Sequence, residues 1–214
     1  MTSVTFFKKL SIATAGAVLI GMGMGGTAHA AAINFDSPTI DASNGEWSLG
    51  FKFSTNKQIA INQLGFYDDL KNDLTQTHDV GIFNDAGQLL VSGTVKPGDP
   101  LDGWFRYTSV AKTILDAGQT FIIAAATGSE NYTWDPVGFT VDPAINFIGD
   151  RYQSSATLVF PTDGPSVAQG YFGPNFKTTA YSVPEPLTIG GTLVAGGLGL
   201  LIKRRKTASQ QASA

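Results

Sequence analysis

The sequence predicts an all-β body, a single β-sandwich of jelly-roll or immunoglobulin-like topology, carried between an N-terminal signal peptide and a C-terminal transmembrane helix. Three observations lead there. Apolar residues in the middle of the chain recur with a period of two, the pattern of half-buried strands. Gly, Asp, Asn and Pro interrupt that pattern at intervals of roughly eight to twelve residues, the spacing of an all-β sandwich. Uncharged apolar stretches stand at both ends of the 214-residue chain.

The N-terminal stretch is residues 1–30, MTSVTFFKKLSIATAGAVLIGMGMGGTAHA. Lys8 and Lys9 form a positive n-region, Leu10 to Gly26 carries no charge, and Ala28 and Ala30 place small residues at −3 and −1 of a cleavage site. That order is the pattern of a secretory signal peptide, read by signal peptidase. The core is short and glycine-rich, which argues against a permanent N-terminal anchor.

Residues 31–182 make one ordinary domain, long enough for a real core. In EWSLGFKFST, Trp47, Leu49, Phe51 and Phe53 share one strand face and are expected in the core. In QIAINQLGFY the apolar phase changes between Ile61 and Leu64, which predicts a β-bulge at Asn62-Gln63. HDVGIF and QLLVSGTV form a hairpin around NDAG, with Gly87 suited to positive φ. GWFRYTSV and QTFIIAAAT are strands joined by the turn LDAG. AINFIG and ATLVF are later strands. The segment from Gly149 to Tyr181, rich in Gly, Pro, Ser and Thr, is expected to hold short strands and long loops. No repeat is evident, so a propeller or solenoid is not expected.

Composition removes several function classes. The body holds eight Lys/Arg against sixteen Asp/Glu, a net charge of −8, whereas the whole chain is at −3. An acidic body does not suit nucleic acid, whose phosphates need a basic surface. There is no cysteine, so disulfides, thiolate metal sites and cysteine nucleophiles are excluded. His78 is the one histidine left after signal removal, too few for a multi-histidine zinc site.

The C-terminal stretch is VPEPLTIGGTLVAGGLGLLIKRRK, residues 183–206. It resembles the PEP-CTERM sorting signal of Gram-negative envelope proteins. Val183, Pro184, Glu185 and Pro186 match the motif, a Gly-rich apolar run follows, and Lys203, Arg204, Arg205 and Lys206 close it. The same tail is also catalogued as an ice-binding-protein C-terminal domain, a label for the tail and not for an ice-binding surface. The resemblance implies recognition by an exosortase, a membrane protease-transpeptidase, with cleavage near Pro-Glu-Pro. It also implies an association with exopolysaccharide. The body is similar to an exported β-sandwich family of unknown function, through WSLGFKFSTNKQIAINQLGFYDD, LTQTHDVGIFNDAGQLL and LDAGQTFIIAA. That likeness spans residues 46 to 126 and brings no established chemistry.

Physical chemistry agrees with a sorting role for the tail. Leu187 to Ile202 has sixteen residues. As a helix it would span roughly 24 Å at about 1.5 Å per residue, short of a bilayer core of ~30 Å. Glycines 190, 191, 196, 197 and 199 weaken it further. A marginal helix with small faces suits a transient enzyme substrate, although a plain single-pass anchor is the alternative. The basic cluster stays cytoplasmic with the polar tail 207–214, so the body is exported across the inner membrane, first tethered, then in the envelope or outside. Pro184 and Pro186 favour an extended, cleavable peptide.

Within the body, YDDLKNDLTQTHD crowds carboxylates that could bind Ca²⁺ through Asp68, Asp69 and Asp73, although the spacing is not that of an EF-hand and a solvated acidic loop explains it as well. His78 and Asp79 are strand neighbours, so their side chains should point to opposite faces and form no catalytic pair. There is no G-x-S-x-G elbow, and nothing selects a carboxylate pair for glycoside hydrolysis. No catalytic residue and no firm cofactor is assigned. Trp104, Tyr107, Tyr132 and Trp134 are aromatic candidates for stacking on sugar rings. Trp104, Tyr132 and Trp134 are the possible ligand residues, with core or rim packing the alternative for Trp104 and Trp134; NYTW, flanked by polar and turn residues, is expected to be a loop, which makes Trp134 the better surface candidate. The expected function is a non-enzymatic structural or adhesive envelope protein associated with exopolysaccharide. A carbohydrate-binding module is the alternative and a carboxylate hydrolase the remoter one.

Overall fold

The computed structural model describes residues 29–166 and 169–179. The strands are β1 (His29–Ala31), β2 (Ile33–Asn34), β3 (Ile40–Ala42), β4 (Trp47–Thr55), β5 (Ile59–Tyr67), β6 (His78–Asn84) and β7 (Leu89–Val95). They continue with β8 (Leu101–Asp102), β9 (Phe105–Leu115), β10 (Thr120–Ala126), β11 (Tyr132–Trp134), β12 (Thr140–Val141), β13 (Ile145–Ser154) and β14 (Pro174–Thr179). The fold is all-β, with no helix among the described residues. Ala28, the Val183–Pro186 motif, the Leu187–Ile202 run and the Lys203–Lys206 cluster lie outside the described residues.

Two antiparallel five-stranded sheets carry the fold, in the orders β1-β14-β5-β9-β8 and β13-β4-β10-β6-β7. Two short ribbons, β11-β3 and β12-β2, flank them. The period-two pattern decides which side chains fill the space between the sheets. Leu49, Phe51 and Phe53 of β4 are buried, as are Val80 and Ile82 of β6 and Phe121 and Ile123 of β10. They meet Ile61, Leu64 and Phe66 of β5 and Phe176 of β14. Phe53 and Phe176 touch across the layers, with ring centroids 4.9 Å apart.

The bulge falls where the change of apolar phase places it, since the β5–β9 register shifts between Ile61 and Gln63. Gly87 and Gly118 turn at φ of 83° and 73°, as the NDAG and LDAG turns require. At Gly65, a Cβ would lie 2.6 Å from the Tyr107 ring, so the aromatic packs directly on backbone.

Three expectations are corrected. ATLVF is no strand: residues 155–162 form an irregular strap over the outer face of the second sheet. Ser48 holds it by donating from Oγ to the Val159 carbonyl at 2.7 Å and accepting the Val159 N–H at 3.2 Å. Leu158 lies over Gly81, and Phe160 packs on Phe83 at 5.7 Å. Apolar residues that looked like a strand thus form a half-buried cover. NYTW is no loop: Tyr132–Trp134 is β11, paired with Ile40–Ala42. Trp47 is half-buried and outside the core, because it is the first residue of β4 and its ring packs against Tyr152, 6.0 Å away, at the end of the sheet.

The chain ends are joined by one buried side chain. Asn175, fully buried, donates from Nδ2 to the Ile33 carbonyl at 2.9 Å and to the Tyr107 hydroxyl at 3.0 Å. Its Oδ1 accepts the N–H groups of Ile33 at 3.3 Å and Phe176 at 2.9 Å. Beside it β1 pairs with β14, His29 opposite Thr179. The chain therefore enters and leaves the two-sheet body at one pole. Ala30, the expected −1 residue of the signal cleavage site, is the middle residue of β1.

Candidate functional site: an aromatic pocket

At the opposite pole a pocket of about 160 Å³ is lined by Asn44, Trp47, Leu49, Tyr132, Tyr152, Ser166 and Tyr171. Register places it there. Trp47 starts β4 and pairs with Ser154 at the end of β13. Thr55, at the far end of β4, donates through Oγ1 to the Asp116 carbonyl. That end adjoins Leu115 opposite Ile59 and Ala60 opposite Thr179.

Four separate segments supply the rings, and each is fixed locally. Gly45, at φ 135°, turns the chain into β4. Thr127, fully buried, then anchors Trp47 by a reciprocal pair: the Trp47 N–H donates to Thr127 Oγ1 at 3.1 Å and the Thr127 N–H to the Trp47 carbonyl at 2.8 Å. On β11, Tyr132 and Trp134 are two residues apart and project to the same side. The Phe172 N–H donates to the Thr133 carbonyl at 2.8 Å, which carries Tyr171 against them. Tyr152 comes from β13.

The rings stand nearly perpendicular in sequence round the pocket. Trp47 and Tyr152 lie 6.0 Å apart at 83°. Tyr152 and Tyr171 lie 5.8 Å apart at 83°. Tyr171 and Tyr132 lie 5.5 Å apart at 84°, with Trp134 5.8 Å from Tyr171 behind them. Asn44 Oδ1 accepts both the Trp47 Nε1–H at 2.9 Å and the Tyr132 hydroxyl at 2.8 Å, so one amide sets two walls. Burial raises the Tyr132 pKa, keeping its hydroxyl protonated as a donor. Ser166 is held by Asp150, a fully buried carboxylate that accepts its N–H at 2.9 Å and its Oγ–H at 2.9 Å. The hydroxyls of Tyr152 and Tyr171 make no hydrogen bond to another described residue.

The sequence candidates separate. Tyr132 lines the pocket and Trp134 backs it, but Trp104 lies elsewhere. Its ring stacks with Phe35 at 6.1 Å, its Nε1–H donates to the Asp36 carbonyl at 3.2 Å, and the Lys71 ammonium sits 3.7 Å from its centroid. A ring already covered by a cation and a phenyl group is a structural part, not a sugar platform. Trp47, Tyr152 and Tyr171 are the wall residues the sequence did not single out as ligands. Trp47 was read as core, and Tyr152 and Tyr171 fell in the Gly149–Tyr181 segment, where no pattern marked them.

The calcium expectation gives way to an arginine. Among the described residues no group of three or more His, Cys, Asp or Glu could hold a metal ion. Asp68 is buried against the Arg106 guanidinium, Nε to Oδ2 at 2.7 Å, and also accepts the N–H groups of Asn72 and Asp73. Asp73 accepts the Gly98 N–H at 2.8 Å and lies 3.1 Å from Arg106. The Gly98 N–H holds the Asp73 carboxyl below the usual carboxylate range, helped by the Leu74 N–H and Arg106, while desolvation opposes them. Asp69 is bound by Asn131 Nδ2 at 2.7 Å. These three carboxylates order a loop.

His78 and Asp79 do face opposite ways. The His78 ring is buried flat on Phe66, centroids 3.6 Å apart, whereas Asp79 takes the Thr94 hydroxyl at 2.7 Å on the surface. His78 Nδ1–H donates to the Ala126 carbonyl at 3.0 Å, and Nε2 is buried without a partner. Burial lowers the His78 pKa, against the Ala126 carbonyl, Glu130 and Asp79, which raise it.

Two packed antiparallel sheets with an aromatic pocket at one pole define an all-β body. The chain belongs to the family described as Domain of unknown function (DUF4082), which matches residues 36–181. The match runs past residue 126 and takes in all five rings of the pocket cluster. No curated protein matches the chain.

Proposed function

We propose that the protein is a non-enzymatic component of the cell envelope or extracellular matrix, exported and membrane-tethered before sorting, whose aromatic pocket holds a matrix polymer. The observation that carries this reading is the pocket's position: four walls from separate segments converge at the pole opposite the chain ends. Under the expected topology both ends meet the membrane side, the leader through Ala28 and Ala30 and the tail through Leu187 to Ile202. The pocket then faces outward. The Val183–Pro186 motif and the Lys203–Lys206 cluster support handling by an exosortase, and the polymer of such an envelope is an exopolysaccharide.

Two experiments test this. Retention of the protein in the extracellular matrix should drop for Tyr171→Ala, with the circular dichroism spectrum unchanged; equal retention removes the pocket from the reading. Mass spectrometry of the protein from cells with an active exosortase should show the chain ending near Pro184. Recovery of the intact apolar tail would discard the sorting step.

A further inference from the structure

The pocket's shape and its shortage of hydrogen-bonding partners point to one ligand class. We infer that it takes a quaternary ammonium group, a fully methylated cation carried as a substituent on a soluble or polymeric ligand. The inference rests on the reading of this pocket as the binding site, and it names which part of the ligand the site grips.

Geometry comes first. Going from Trp47 to Tyr152, Tyr171 and Tyr132, each ring is turned by 83° or 84° from the last, at centroid spacings of 5.5–6.0 Å. Successive right angles make the walls of a box. A sugar ring stacks on a flat open face, whereas a box of aromatic rings surrounds a compact, near-spherical group. The volume, about 160 Å³, is also small. Pockets for drug-sized ligands are roughly 300–1,000 Å³.

Chemistry follows. A sugar brings several hydroxyls, each of which loses water on burial and needs a partner. The lining offers few. Asn44 Oδ1 is already shared by Trp47 and Tyr132, and Ser166 Oγ already donates to Asp150. The Asn44 Nδ2 amide, the acceptor side of Ser166 Oγ and the hydroxyls of Tyr152 and Tyr171 remain, few for a sugar with a hydroxyl on nearly every carbon. A quaternary ammonium has no N–H donor to leave unmatched in such a site. Its charge is diffuse, cheaply dehydrated and attracted to the electron-rich ring faces, a pairing that strengthens when desolvated. A primary ammonium would leave its three N–H donors unmatched. No described lining residue is charged, so nothing repels the cation at contact range. The body's net charge of −8 favours its approach from solution.

The same headgroup occurs on lipids and on free or polymer-borne small molecules. Because the pocket lies at the pole away from both chain ends, a tethered body does not present it to its own membrane. The ligand is therefore the free or polymer-borne form.

Tryptophan fluorescence and calorimetry test this on the full chain, kept in a polyoxyethylene detergent that carries neither sugar nor ammonium. Choline should bind saturably. Ethanolamine should bind at least roughly tenfold more weakly, as should the carbon isostere of choline with a neutral tert-butyl group. Tyr152→Leu keeps apolar bulk but removes a ring face, and should weaken choline by a similar factor at unchanged melting temperature. Trp104→Phe, remote from the pocket, should change nothing. Equal binding of the neutral isostere would overturn the inference, and so would no binding of choline. In the latter case, binding of monosaccharides would preserve the matrix-binding reading, and binding of neither would remove both. Flotation with phosphatidylcholine but not phosphatidylglycerol vesicles would overturn the assignment to a free or polymer-borne ligand.

Discussion

Replacing Asn175 by alanine should uncouple the two ends of the chain. Its side chain makes four hydrogen bonds inside the protein, to both backbone groups of Ile33, to the Tyr107 hydroxyl and to the Phe176 N–H. All four partners lose a bond at a site with no exposed surface. At about 1 kcal/mol net for each bond, and more for any group left unsatisfied, the loss is about 4 kcal/mol. With a urea slope of about 2 kcal/mol/M, the midpoint should fall by about 2 M at unchanged slope. Tyr107→Phe removes one of the four bonds and should cost about 1 kcal/mol. Urea unfolding followed by fluorescence measures both. If Asn175→Ala moves the midpoint no further than Tyr107→Phe, the amide is not the clamp described and the reasoning fails.

Other perturbations probe the remaining buried polar groups and a close backbone contact. Arg106→Ala leaves Asp68 buried beside an empty space and should cost about 3–5 kcal/mol. A second change, Asp68→Ala, should cost little more on top, which a double-mutant cycle in urea would show. Gly50→Ala sets a methyl group against the Ile123 carbonyl and 2.8 Å from Pro174 Cγ, and should cost about 1–3 kcal/mol in the same assay. The lowered His78 pKa means that the unfolded chain binds the extra proton first as pH falls. Stability from His78 is therefore complete above the unfolded value near 6.5 and declines below it. Melting temperatures measured between neutral and acid pH should drop less for His78→Leu than for the parent chain, and parallel curves would refute this.

The long strands were legible because large apolar side chains recur at every second residue on the face between the sheets, even where the other face is covered too. Leu49, Phe51 and Phe53 alternate with Ser48, Gly50 and Lys52, and the shift of phase at Asn62 is visible as a bulge. The pattern reports burial, however, and not pairing. Leu158 and Phe160 are half-buried, yet their backbone never joins a ladder, since a serine hydroxyl takes the place of a neighbouring strand. Strands of two or three residues, such as Ile33–Asn34 and Tyr132–Trp134, are too short to show any period. The pocket was harder still. Trp47 was in phase with the core but stands at the start of β4, where it is half-buried in the pocket wall. Tyr152 and Tyr171 sit in stretches without a clear pattern; the β13–β4 register brings Tyr152 to the pocket, and the Thr133–Phe172 bridge brings Tyr171 beside Tyr132. The Asp68 loop misled for a different reason: its countercharge, Arg106, is far away in the chain.

The Asn175 amide also bears on the order in which this protein can fold. It joins residues 142 positions apart, and its strand lies between β1 and β5 inside the first sheet. That sheet stays open until the last described strand is available. For a chain that crosses a membrane with its N-terminus leading, nearly the whole body must emerge before the layers close. Seven residues separate Thr179 from Leu187. Even fully extended they reach only about 25 Å. Under the proposed topology, closure would take place with residues 187–202 still at the membrane, so completion of the fold and presentation of the proposed sorting motif would coincide.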